Sequence, residues 1–185
     1  MTSSYSDLGL ELMVTGADAG TWGDKTNSNL NLINQALAGY EAVTVNGTGT
    51  TTLAITDATI SNGRNAVIKL TGTITGNIIV TIPDTIEKLY TIINGTTGAF
   101  TVQFKTVSGT GFTFAAADKG TRLAYSDGTN VVDVNSLFTT INALTLPTTT
   151  GSSGDAIVTD GSGTLSFAQA GISTGKAIAM AIVFG

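Results

Sequence analysis

The sequence predicts a mainly β protein: an antiparallel sandwich, roll or barrel-like domain with one N-terminal α-helix packed on it, then a C-terminal hairpin and an extended tail. Three observations lead there. From Tyr40 onward apolar residues recur at every second position in short runs, the period of strands. Those runs are punctuated by Asn46-Gly47, Asn62-Gly63, Asn94-Gly95 and Asp127-Gly128, dipeptides suited to tight turns. Only the stretch from Trp22 to Tyr40 carries a helical period.

Residues 1–19 read as an N-terminal arm. Leu8, Leu10, Leu12 and Val14 alternate, which favours a strand, and no local partner for it is evident. In the helix, Trp22, Thr26, Asn29, Ile33 and Leu37 share one side with Tyr40, and Leu30 and Ala36 flank them. Ser28, Asn31, Asn34 and Gln35 fall opposite. That stripe is expected to face the sheet, with Trp22, Ile33 and Leu37 as anchors. Asp24 is expected to be the N-cap and Gly39 the C′ residue. Asn29 lies within the stripe, and an unpaired buried amide costs about 1–3 kcal/mol. It is therefore expected to hydrogen-bond the backbone of an adjoining loop and fix the helix.

The β domain continues to residue 134, giving a helix-plus-β domain over 20–134. Val43 and Val45 are expected in one strand and Leu53 and Ile55 in the next. Val67–Leu70 and Ile78–Ile82 follow, the second stopped by Pro83, which has no amide to donate. Tyr90–Ile93, Phe100 to Phe104, Phe112 with Phe114, Leu123 with Tyr125, and Val131–Val134 complete the set. Residues 135–154 read as a linker with a weak helix ending in a flexible Thr-Ser-Gly joint. Residues 155–185 read as a hairpin, with Ile157, Leu165 and Phe167 expected inward, and an apolar tail.

Composition narrows the function classes. The 185-residue chain has a net charge of −5 and only 8 Lys and Arg, so it lacks an electrostatic footprint for nucleic acid or an anionic membrane. It has no Cys and no His, which removes the thiol nucleophile, the usual zinc ligands and the commonest general base. No catalytic, cofactor-binding or metal site is expected. The carboxylates Asp118, Asp127, Asp133, Asp155 and Asp160 sit in or beside turns, where Asp is favoured for local hydrogen bonding. Gly47-Thr48-Gly49 and Gly109-Thr110-Gly111 lack the helix and Lys of a phosphate loop and read as hairpin connections. The N-terminus has neither a basic patch nor an apolar core, so no signal peptide is expected. The longest apolar run, 177–184, is well short of the ~20 residues a membrane span needs. Its exposure is unfavourable, so Ile178, Met180, Ile182 and Phe184 are expected to pack on the domain or on a second chain, as are Leu8, Leu10 and Leu12 of the arm.

Three stretches together resemble a known family. Residues 12–30, Thr15-Gly16 through Gly20-Thr21-Trp22-Gly23 to Asn27 and Asn29, resemble the "TG-x-x-x-GTWG-x-x-x-N-x-N" opening of tailed-bacteriophage tail-fibre-like and other virion proteins. A segment like Ile82-Pro83 leading to Tyr90-Thr91-Ile92-Ile93-Asn94-Gly95-Thr96-Thr97-Gly98, and one like Ala124-Tyr125-Ser126-Asp127-Gly128-Thr129-Asn130-Val131-Val132, follow in the family's order. Thr159–Leu165 is similar to a fibre-shaft hairpin, and 174–185 to the terminal tag of many phage structural proteins. The resemblance implies a non-enzymatic virion component, homo-oligomeric with a trimer favoured, that binds itself and other virion proteins. Competing expectations are a capsid-attached decoration or head-fibre protein, a carbohydrate- or receptor-binding tip with exposed Tyr5, Tyr40, Tyr90 or Tyr125 on one face, and a glycoside hydrolase using two carboxylates.

Overall fold

The computed structural model describes residues 4–134, 140–141, 144–147, 149–169 and 182. The chain divides into two compact units, residues 1–135 and 136–185. The first is mainly β, a nearly closed barrel-like sheet preceded by one helix; the second contains an antiparallel hairpin.

The first unit opens with two short strands, β1 (Ser4–Tyr5) and β2 (Glu11–Leu12), paired antiparallel with each other. The arm therefore supplies its own partner strand. Helix α1 (Trp22–Ala38) follows, and its last carbonyls lead directly into β3 (Tyr40–Thr44) and β4 (Gly47–Thr52). After a 3-10 turn at Asn62–Arg64 comes β5 (Val67–Ile82), which spans two of the predicted strands without a break. Then follow β6 (Glu87–Thr97), β7 (Val102–Thr106), β8 (Gly111–Phe114), β9 (Thr121–Asp127) and β10 (Val131–Asp133).

β5 is the axis of the sheet. Its first half pairs in parallel with β3 on one side and β6 on the other; its second half pairs in parallel with β4 and β7. The chain thus winds, laying three rungs in register, such as Val43–Leu70–Asn94 and Thr51–Val80–Phe104. Only the flanks run antiparallel: β8 on β7, and β9 on β6 with β10 on β9. Val131 N–H donates to the Thr110 carbonyl at 2.9 Å, so β10 meets the approach to β8 and the sheet nearly closes.

The turn dipeptides behave differently from expectation for this reason. Asp127-Gly128 does join an antiparallel pair. Asn46-Gly47 instead turns a corner between β3 and β4, both partners of β5, and Asn94-Gly95 lies inside β6. The Asn46 side chain reaches the neighbouring rung, its Oδ1 accepting from Thr73 N–H at 3.1 Å, and Asn77 does the same for Thr101 N–H at 3.2 Å. Gly72, at φ 109°, fits under this corner because a Cβ there would run into Asn46 and the Val45 carbonyl.

Alternation along the strands sends Ile68, Leu70, Ile74, Ile78, Val80, Ile82, Tyr90, Ile92, Val102, Phe104 and Phe114 inward, with Val43, Val45 and Leu53 from the first rung. Tyr90 meets Phe104 edge-on at 5.7 Å between centroids, and Phe112 meets Phe114 likewise at 5.3 Å. Tyr90 donates its hydroxyl to the Gly63 carbonyl at 3.0 Å, so the buried phenol is satisfied.

In the second unit, β11 (Thr140–Ile141) pairs antiparallel with β12 (Leu144–Thr145), where a weak helix was expected. β13 (Asp155–Thr159) and β14 (Leu165–Gln169) form the predicted hairpin across Asp160-Gly161-Ser162-Gly163. Asp160 accepts the amides of Ser162 and Thr164, and these bonds pull its carboxyl down to about 2. Ile157 stands opposite Phe167, but both are exposed and not turned inward as expected.

Candidate assembly surface

The helix is where the predicted chemistry and the observed packing part. Thr21, with no side-chain cap bond, is the N-cap, so the helix starts before Asp24 and leaves that carboxylate in the first turn, where it complements the macrodipole. Gly39 is not in a left-handed conformation (φ −69°); it is required because a Cβ would collide with Asn65 and the Gln35 carbonyl.

The face that α1 turns to the protein is carried by Lys25, Asn29, Leu32, Gln35 and Ala36, rotated roughly a quarter-turn from the apolar stripe at ~100° per residue. Leu32 is the buried apolar contact of the helix. The rest of the face is held by polar bonds. Lys25 pairs with Glu11 and, at 3.0 Å, with Asp18. Asn29 accepts from the Glu11 N–H and donates to the Glu11 carbonyl, as expected of an amide that fixes the helix against a loop. Gln35 Oε1 accepts from Ser61 N–H at 3.3 Å and from Arg64 Nη1 at 3.1 Å.

Arg64 is the hub. Its residue surface is fully buried. Its guanidinium donates to four acceptors: the Leu8 carbonyl (2.8 Å), Gln35 Oε1, the Thr59 carbonyl (2.7 Å) and the Thr56 carbonyl (2.7 Å). A planar five-donor fork can satisfy arm, helix and loop at once, which an ammonium cannot. Polar partners with fixed directions therefore decide how the helix lies, and the non-directional apolar stripe follows.

The consequence corrects the anchor assignment. Trp22 is 61% exposed, Leu37 76% and Leu30 57%, and Ile33 and Tyr40 are also exposed. None of them anchors the core. The exposed stripe runs on into an apolar groove of about 330 Å³ lined by Leu8, Ala36, Leu37, Ala66, Lys88 and Leu89. From Leu89 it continues across the outer face of the sheet, since Leu89 is paired with Tyr125 and Tyr125 with Val132, all exposed. Lys88 lies in this groove, its Nζ 3.0 Å from the Asn65 carbonyl and 3.9 Å over the Tyr90 ring. Burial and the nearby Arg64 charge lower its amine to about 8.

The remaining expected assembly residues are distributed differently. Leu8 and Leu10 are half-buried in the arm, while Leu12 is exposed. Ile182 is exposed; Ile178, Met180 and Phe184 lie outside the described residues. Of the tyrosines, Tyr40 and Tyr125 are exposed, Tyr5 is half-buried and Tyr90 is buried. They do not form one aromatic face.

The turn carboxylates are engaged locally. Asp127 accepts from Thr129 and Asn130 amides, Asp118 from Gly120 N–H, Asp155 from Ser152 N–H, and Arg122 bridges Asp118 and Asp133. Among the described residues no group of three His, Cys, Asp or Glu could hold a metal ion, and no helix is long and apolar enough to cross a membrane. The chain matches no protein-family model, no curated protein and no solved structure.

Proposed function

We propose that this chain is a structural component of a tailed-phage virion, a tail-fibre- or spike-associated building block that acts by self-assembly and attachment to the particle. The observation that carries this reading is the exposed apolar stripe Trp22–Leu30–Ile33–Leu37 on a helix whose adjoining face is fixed by directional bonds. Apolar surface of this extent, rigidly presented, is unfavourable in water and is a mark of surfaces that are covered by another chain. The order of the three quoted motifs supports the phage assignment, and a winding sheet with turn-bound carboxylates suits a mechanical role. Homo-oligomers are expected, trimers favoured, with the tail residues Ile178, Met180 and Phe184 as further contacts.

The assignment is tested on particles. An antibody against the recombinant chain should label purified virions at a fixed position by immunogold microscopy. Label on the tail sustains the fibre or spike reading, and label on the head selects a decoration or head-fibre protein. Purified particles that lack the chain overturn the proposal.

One observation favours a second reading, a glycan-binding tip. Trp22 borders an open depression of about 530 Å³ with Met13, Val14, Thr15, Gly16, Asp18 and Ala19, and an exposed indole is a stacking surface for a sugar ring. A glycan array separates the two: selective binding that Trp22→Ala abolishes favours the tip, and a blank array removes it.

A further inference from the structure

We infer that α1 is the contact between copies: its outward seam packs against the same seam of a second copy as a short coiled-coil-like pair. This deepens the self-assembly reading above and rests on it. Thr26, Leu30, Ile33 and Leu37 are spaced four, three and four apart, and Tyr40 continues the series three further on, just beyond the helix. That is the 3.5-residue repeat of coiled-coil a and d positions, and of this set Leu30, Ile33, Leu37 and Tyr40 are exposed while Thr26 is half-buried. The body-facing residues Lys25, Leu32 and Gln35 occupy other heptad positions, so docking to the chain's own body leaves the seam free.

Three further features point to a like copy as the occupant. The first is area. Trp22, Leu30, Ile33, Leu37, Tyr40 and Leu89 are large side chains each 38–76% exposed, a patch on the scale of the ~800 Å² each partner gives up in a stable interface. The second is charge. The helix carries only Asp24 and Lys25, and Lys25 is already paired with Glu11 and Asp18. The residues flanking the seam, Asn27, Asn29, Asn34 and Ala36, are neutral. Two identical helix faces therefore meet without the like-charge repulsion that would disfavour self-contact. The third is shape. The seam is one helix face, self-complementary under a two-fold operation.

The sequence makes the test clean, since the chain has one Trp and no Cys. The full-length chain is measured by size-exclusion with light scattering across concentration, beside Leu30→Gln/Leu37→Gln, whose exposed side chains leave the fold, checked by circular dichroism, unchanged. Ile33→Cys, at the middle of the seam, and Asn31→Cys, an exposed helix position away from it, are oxidised mildly. The expected result is a wild-type oligomer with blue-shifted Trp22 emission. The double variant should be a monomer with red-shifted emission, at least tenfold weaker in association. Ile33→Cys alone should give a disulfide-linked pair.

If the double variant keeps the wild-type mass, the seam is not the contact and assembly runs through another surface, so this inference fails while self-assembly stands. If the wild-type chain is itself a monomer at tens of micromolar, both fail. In that case a red shift of Trp22 on removing residues 171–185 would identify the chain's own tail as the cover.

Discussion

Asn29 holds both backbone polar groups of Glu11: its Oδ1 accepts from the Glu11 N–H and its Nδ2 donates to the Glu11 carbonyl, each at 2.9 Å. A side-chain amide here does what a neighbouring strand would do, and it ties β2 of the arm to the helix. Removing it strands an N–H and a C=O in a half-buried joint. Asn29→Ala should therefore destabilise by about 1–3 kcal/mol. Asn29→Asp should do the same, because it keeps the acceptor but loses the donor. Faster hydrogen exchange at the Glu11 amide and earlier proteolytic loss of residues 1–20 are the readouts; an unchanged exchange rate would show that the pair contributes nothing.

Arg64 joins three segments that are distant in sequence: the Leu8 carbonyl, Gln35 and the 56–59 loop. Arg64→Met leaves several buried acceptors empty at a cost of about 1–3 kcal/mol each, so the fall in melting temperature should be the largest of any substitution described here. Arg64→Lys should recover little of it, since three donors on one nitrogen cannot span the same partners. Thermal denaturation of the two variants decides this, and near-wild-type stability of the lysine form would refute the fork argument.

Lys88 gives a pH dependence whose sign follows from its depressed amine. The unfolded chain protonates Lys88 up to about 10.5, the folded one only to about 8, so between these values the unfolded state binds more protons. Stability should rise with pH above about 8, by at most about 3 kcal/mol before solvent screening. Tyr90 acts oppositely: burial raises its phenol, so the unfolded state loses that proton first and stability falls above about pH 10. Melting temperature should thus climb from pH 7.5 toward 10 and then drop, and Lys88→Met should flatten the climb alone.

Ser126 is buried in β9, and its hydroxyl has no hydrogen-bond partner among the described residues. An unsatisfied buried hydroxyl is destabilising, so Ser126→Ala should be neutral or raise stability by up to about 1 kcal/mol. A loss beyond 1 kcal/mol in urea denaturation would mean that the hydroxyl is satisfied after all.

Gly72 lies under the Asn46 corner with φ 109°. Gly72→Ala combines left-handed strain with overlap onto Asn46 and the Val45 carbonyl, and should cost about 2 kcal/mol or more. Gly161→Ala, in an equally left-handed turn with open space around it, should cost only the backbone strain, about 1 kcal/mol. Equal costs for the two would remove steric approach as the reason for Gly72.

Much of the β content was readable. Strand positions such as Phe104, Phe112, Tyr125 and Val131 alternate with polar residues, and Pro83 ends β5 where its missing amide requires. The winding topology was present in the sequence in a form that dipeptide rules overlook. Asn46-Gly47-Thr48, Thr71-Gly72-Thr73 and Asn94-Gly95-Thr96 recur where successive rungs pass the same corner. Read singly, each Asn-Gly suggests a hairpin; read as a repeat, they mark where neighbouring parallel strands pass one corner. Parallel register depends on residues dozens apart, which no local turn preference encodes.

The sequence by itself determined that a helix with an apolar stripe precedes a Thr- and Gly-rich β domain, and that Asn29 must find a partner. It did not determine which side of that helix faces inward. Periodicity fixes the angle between residues on one helix and says nothing of its rotation about its own axis. Only in three dimensions do Arg64, Gln35, Asn29 and Glu11 meet, and their directional bonds set the rotation that leaves Trp22, Leu30, Ile33 and Leu37 facing outward.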